Sequence, residues 1–238
     1  MKKIFAAVSG VFALAALANA AEWQDEYARL LKKYVTPNGV HYAEWKASGE
    51  DMKGLQKVVD GIAAAPASNA KSKEQLAFHI NAYNAWILHE ALEKYPTKSV
   101  KDPLFTFFTS KRITVAGEKM SFNRLEKEII RPRFNEARVH FALNCASRSC
   151  PPLRDEPYSA ETIDADLEQL AKAFVNSPKG VSIAKDTVSL SKIFDWYKDD
   201  LGGPGGVLVF INKRRGTPLP PNAKITYQEY DWNLNEAK

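Results

Sequence analysis

The chain has 238 residues, 45% of them hydrophobic, with 33 basic residues against 28 acidic ones and a formal net charge of +5. This supplies enough apolar side chain for a sizeable core in one domain. The charge is mild and interleaved with acids, which argues against nucleic acid as a partner.

The first predicted element is an export signal. Lys2 and Lys3 precede an apolar run from Ile4 to Leu17, and Ala18-Asn19-Ala20 supplies a small-residue cleavage site. The run is shorter than the roughly 20 residues needed to cross a bilayer, and the polar Glu22, Gln24 and Asp25 follow at once. Cleavage is expected between Ala20 and Ala21, leaving a periplasmic or secreted chain with no membrane span. Its partner would be an envelope protein or a small molecule. Without Lys2 and Lys3 it keeps 31 basic residues against 28 acidic ones, a net charge of +3.

Residues 21–238 read as one α+β domain. Trp23, Tyr27, Leu30, Leu31 and Tyr34 recur at helical spacing, and Pro37-Asn38-Gly39 turns the chain into an extended Val40-His41-Tyr42. Met52, Leu55, Val58, Val59 and Ile62 mark a second amphipathic helix. In the third, Ser72 and Gln75 have capping-box spacing, and Leu76, Ile80, Tyr83, Ile87 and Ala91 form one stripe before Pro96. Phe78, Trp86 and Leu92 lie off that stripe, so this helix should be central and packed on several sides.

Strands are then predicted at Leu104–Phe108, Arg112–Ala116 and Val139–Asn144, with a Ser121-capped helix holding Leu125, Ile129 and Ile130 as far as Pro132. A helix through Ile163, Leu167, Leu170 and Phe174 precedes a Val181–Ile183/Val188–Leu190 hairpin. A helix from Ser191 to Leu201 and strands at Val207–Ile211 and Ile225–Tyr230 complete the reading. Helices dominate the first half and strands scatter through the second, so the expected fold is a helix-rich half packed on a small, mainly antiparallel sheet.

Reactive residue types concentrate between Val139 and Pro152, which holds both cysteines and His140. On a strand, alternation places His140, Ala142 and Asn144 on one face and Val139, Phe141 and Leu143 on the other. Three readings of the cysteines stand open. A Cys145–Cys150 disulfide suits an oxidising compartment, and closing so small a loop would stabilise the fold by only about 2 kcal/mol. A nucleophilic Cys145 would need a base and an orienting group. A metal site lacks a second cysteine pair, so no metal is expected. On a straight strand His140 and Cys145 would face opposite ways, roughly 16 Å apart at about 3.3 Å per residue.

Asn84 falls in the apolar sector of the third helix and Asn81 at its edge, where an unpaired amide costs about 1–3 kcal/mol. Both are expected to anchor a loop backbone or to line a cleft. Glu126 is a candidate to orient His140, or an ordinary exposed glutamate. Ser147 and Arg148 belong to the loop between the cysteines, where Arg148 would meet an anion or solvent. No Gly-rich phosphate loop, Gly-x-Ser-x-Gly elbow or His-Glu-x-x-His motif is present, and no cofactor is expected.

Taken together, Ile80-Asn81-Ala82-Tyr83-Asn84-Ala85, Leu125-Glu126, the run from His140 to Pro152, and Leu190-Ser191-Lys192-Ile193-Phe194-Asp195-Trp196-Tyr197 resemble the signatures of the domain of unknown function 547 family. The likeness runs from Val40 to Asn233 and includes Tyr230-Asp231-Trp232-Asn233. It implies that the Asn-bearing helix and the His/Cys segment belong to one region, and it assigns no activity. Two functions follow as expectations: a binding module with a disulfide-shaped loop, or a thiol-dependent hydrolase or acyl transferase attacking through Cys145 with His140 and Glu126 in support.

Overall fold

Helical spacing of Trp23, Tyr27, Leu30, Leu31 and Tyr34 produces the first element, α1 (22–34), with all five side chains buried. The computed structural model describes residues 22–101 and 106–237, so the expected signal at residues 1–20 lies outside it. The Pro37-Asn38-Gly39 turn joins β1 (Val35–Thr36) to β2 (Gly39–Val40). Gly39 has φ +134°, and a Cβ there would collide with the Asn235 carbonyl. The extended stretch expected through Tyr42 stops at Val40, because Tyr42 opens α2 (Tyr42–Ala47).

Ser48 caps α3 (Gly49–Ala64) and Ser72 caps α4 (Lys73–Glu93), each hydroxyl accepting from the amide three residues on. As expected, α4 is central. Residues from all sides of it, including Leu76, Ile80, Trp86 and Leu92, are buried.

The β3/β4 hairpin (Ile113–Val115, Glu118–Met120) forms where one strand was expected. Leu104 and Phe105 lie outside the described residues, but Thr106–Thr109 is a helical turn, α5, so the strand expected there is not observed. Ser121 caps α6 (Phe122–Arg124), which continues through a π-helical stretch, Leu125–Ile130, into α7 (Arg131–Phe134). The helix does not end at Pro132, which follows directly on the π-helical stretch and is carried within the continuing helix. It ends at Asn135, whose φ of +48° forms a left-handed C-terminus.

The strand expected at Val139–Asn144 is absent. Ala137–Phe141 is a 3₁₀ turn in which Val139, His140 and Phe141 are all buried. Its cause lies in α4. Asn84 Nδ2 donates to the Ala142 carbonyl (2.9 Å) and Asn84 Oδ1 accepts from the Asn144 amide (2.9 Å). One side chain thus takes the donor and acceptor that a neighbouring strand would have used. The face assignment of His140, Ala142 and Asn144 falls with the strand.

Beyond α8 (Ile163–Val175), β5 (Val181–Ala184) and β6 (Thr187–Leu190) form the expected hairpin, and β7 (Lys224–Tyr227) joins β6 in parallel. Among the described residues the strands therefore make three small sheets, antiparallel except for β6–β7. The helix expected over Ser191–Leu201 is shorter, α9 (Lys192–Trp196), and passes through turns to Gly202. Val207–Ile211 is helical, within α10 (Gly203–Arg214). Pro204 in the first turn favours that start, and Val207 and Ile211 meet the core at four-residue spacing while Val209 is 69% exposed.

Among the described residues, two apolar clusters result from this α+β arrangement. Val139, Ala142 and Leu143 belong to the one around α4, whereas Phe141 belongs to the one formed with Phe174, Phe194 and Ile211. The 3₁₀ turn therefore crosses the seam between them, and His140 sits at that seam.

Candidate functional site

At the seam opens a cleft of about 590 Å³. Tyr83 of α4, Glu126 of the π-helical stretch, His140, the Cys145–Cys150 pair and Tyr197 all line it. Its rim is aromatic: Trp196, Tyr230 and Trp232 pack on one another with ring centroids 4.6–5.8 Å apart, and Trp196 is 45% exposed.

The cysteines are joined as a disulfide, with Cα atoms 6.3 Å apart. Cys150 is buried and Cys145 half-buried. The Cys145 amide donates to Cys150 Sγ (3.0 Å), and the Tyr230 hydroxyl donates to the same sulfur (3.2 Å). Ser147 Oγ lies 3.1 Å from Cys145 Sγ and donates to Tyr230 Oη (3.2 Å).

Further bonds hold this loop. Asn144 Nδ2 donates to the Pro151 carbonyl, while Asn144 Oδ1 accepts from the Ala146 amide and helps keep Ala146 at φ +59°. A C-terminal strap crosses it, with the Arg148 amide donating to Asn233 O and the Asn235 amide to Ala146 O.

His140 Nε2 donates to Asp200 Oδ2 at 2.7 Å, and its ring stacks on Tyr197 with centroids 3.7 Å apart. Burial pushes the imidazole down to about 4, so it is neutral near pH 7. Asp200 is held below the usual carboxylate range, first by a two-point pair with Arg131 (2.7 and 2.9 Å) and then by His140. Glu126 accepts from the Tyr197 hydroxyl at 2.7 Å, and burial raises its pKa. The cleft thus holds a carboxyl inclined to keep its proton, a neutral imidazole and, behind them, a fixed Arg131–Asp200 ion pair.

The expected residues separate into three sets. Glu126, His140, Cys145 and Cys150 line the cleft together. Asn144, Ser147 and Arg148 border a second depression of about 500 Å³ on the other side of the loop, where Arg148 is exposed and Lys179 is near. Asn81 and Asn84 hold backbone: Asn81 Nδ2 donates to Tyr158 O (2.8 Å) and its Oδ1 accepts from Tyr158 N (2.9 Å).

Asp200, Arg131, Tyr197, Trp196 and Tyr230 were not singled out as site residues. Tyr197 and Trp196 stood in a recognisable run, whereas Asp200 sits in the charged stretch Lys198-Asp199-Asp200 and gave no signal. Among the described residues, no group of three or more His, Cys, Asp or Glu side chains is arranged to hold a metal ion, and no helix is long and apolar enough to cross a membrane.

A family model described as "Protein of unknown function, DUF547" matches residues 67–175, a shorter stretch than the resemblance over Val40–Asn233. No curated protein and no solved structure matches the chain. The matched stretch contains Asn81, Asn84, Glu126, His140 and both cysteines, while the aromatic rim and Asp200 lie beyond it. Over that segment, a little under half of the chain, the protein is similar to the DUF547 family of unknown function.

Proposed function

We propose that this is an exported binding module of the cell envelope, whose aromatic cleft takes a small molecule or a peptide side chain with an apolar face. The observation that carries this reading is the cleft, which lies within the roughly 300–1,000 Å³ typical of small-ligand sites and combines an aromatic rim with a few buried polar groups. The hydrolase reading needs a free Cys145 thiolate, whereas Cys145 is disulfide-bonded and the polar side-chain neighbours of its sulfur are the hydroxyls of Ser147 and Tyr230. Export rests on the amino-terminal sequence.

Anilinonaphthalene sulfonate, an apolar aromatic anion, serves as the cleft probe on protein purified from the envelope. One saturable site is expected on the folded protein, weakened at least tenfold in Trp196→Ala, and the intact mass should correspond to a chain beginning at Ala21. A Trp196→Ala variant that binds the dye as well as the parent refutes the cleft as a binding site. A full-length mass refutes export by cleavage.

A further inference from the structure

A disulfide whose sole task is to hold a loop needs neither a cleft in front of it nor hydrogen-bond donors aimed at one of its sulfurs. Cys145–Cys150 has both. Both cysteines line the 590 Å³ cleft, and Cys145 is the more exposed residue of the pair, so an incoming group meets it first. Cys150 Sγ is buried and receives the Cys145 N–H at 3.0 Å and the Tyr230 O–H at 3.2 Å, that hydroxyl lying 3.4 Å from Cys145 Sγ; both donors strengthen as charge develops on Cys150 Sγ.

The loop also has restraints that do not pass through the S–S bond. Asn144 ties it to Pro151 and to the Ala146 amide, and strap bonds from Arg148 to Asn233 and from Ser149 to Asp231 hold its far side. Breaking the disulfide leaves those bonds in place, so both thiols stay positioned to rejoin.

We infer that Cys145–Cys150 is a thiol–disulfide exchange centre, attacked at Cys145 by a thiol-bearing ligand seated in the cleft. In the first step a ligand thiolate forms a bond to Cys145 Sγ, the S–S bond breaks, and its electron pair leaves on Cys150 Sγ, which then takes a proton from solvent. The product is a mixed disulfide between the ligand and Cys145. With a dithiol ligand, its second thiolate attacks the ligand sulfur of that mixed disulfide and releases Cys145. The ligand is oxidised to a disulfide, and the two cysteines are reduced to thiols. Tyr230 and the Cys145 amide donate directly to the leaving sulfur, so Tyr230 acts on a reacting atom.

The test exposes the folded, oxidised chain to reduced glutathione across a urea series below the unfolding transition, quenches with acid, alkylates free thiols and maps the adducts by peptide mass. Expected are reduction at a rate insensitive to urea in that range, a glutathione adduct on Cys145, and a roughly tenfold slower reaction in Tyr230→Phe, the effect of losing one hydrogen bond to a developing thiolate. Three results each overturn the inference: reduction that tracks global unfolding, an adduct on Cys150, or an unchanged rate in Tyr230→Phe. Glutathione needs no grip on the aromatic rim, so this test can fail while the dye binds at Trp196, and the reverse.

Discussion

Burial holds His140 near 4, below the value of about 6.5 for an unfolded histidine, so acidification protonates the unfolded chain first. Its contribution to stability is complete above pH 6.5 and falls as pH drops towards 4, by about 2 kcal/mol between pH 7 and 5. Glu126 has the opposite sign. Its raised pKa gives a contribution present below the ordinary carboxylate value and lost as pH climbs through the raised one. Urea unfolding at pH 5 and 7 should therefore show a gain with pH that flattens in His140→Gln and steepens in Glu126→Gln. Identical slopes in all three proteins would contradict the assignment. The amides of α4 were readable at this scale, because an asparagine in an apolar sector has to find partners, and Asn84 found Ala142 and Asn144. Asp200 was not readable, since an acid in a charged run looks solvated until Arg131 and His140 fold onto it.

Among the elements, long periodic helices were legible and short apolar runs were not. A run such as Val207-Leu208-Val209-Phe210-Ile211 satisfies strand propensity, yet its neighbours decide its form. The two forms make different demands on Val209. A strand would bury it beside Val207 and Ile211, whereas α10 turns it to solvent. Val209→Lys is thus expected to change stability by less than about 0.5 kcal/mol, and Ile211→Ala to cost about 2–4 kcal/mol. Thermal and urea midpoints would measure both, and a large loss in Val209→Lys would argue for the strand. The segment 137–144 misled in the same way: its alternation is real, but its backbone partner is a side chain from α4. Periodicity also carries no mark of the π-helical stretch that presents Glu126, a distortion often found at functional sites.

At the scale of the molecule, distant parts of the chain are joined by the strap after β7. Val40 bridges Glu236, Ser99 bridges Asn233, and Ser147 bridges Leu234, which is itself buried. Removing residues 231–238 should lower the thermal midpoint by several degrees and speed hydrogen exchange in the Ala146–Cys150 loop more than in α4, because the strap's bonds to that loop are lost. Equal effects on loop and helix would show that the strap acts only through bulk stability. The α+β class was visible in the pattern of helices and strands. How the two apolar clusters meet was not, because that seam is set by contacts between residues as far apart as Asn84 and Asn144, which no local period encodes.

The seam also bears on when the cleft comes into being. Its wall draws on Tyr83, Glu126, Cys145, Tyr197 and Trp232, so closing it requires loops of many tens of residues to be shut first, and such contacts form late in folding. A ligand held there would grip most of the chain at once and raise the free energy of global unfolding by RT ln(1 + [L]/Kd) instead of stiffening one loop. Occupancy and completed folding would then be read by the same signal, a shift of the single cooperative transition.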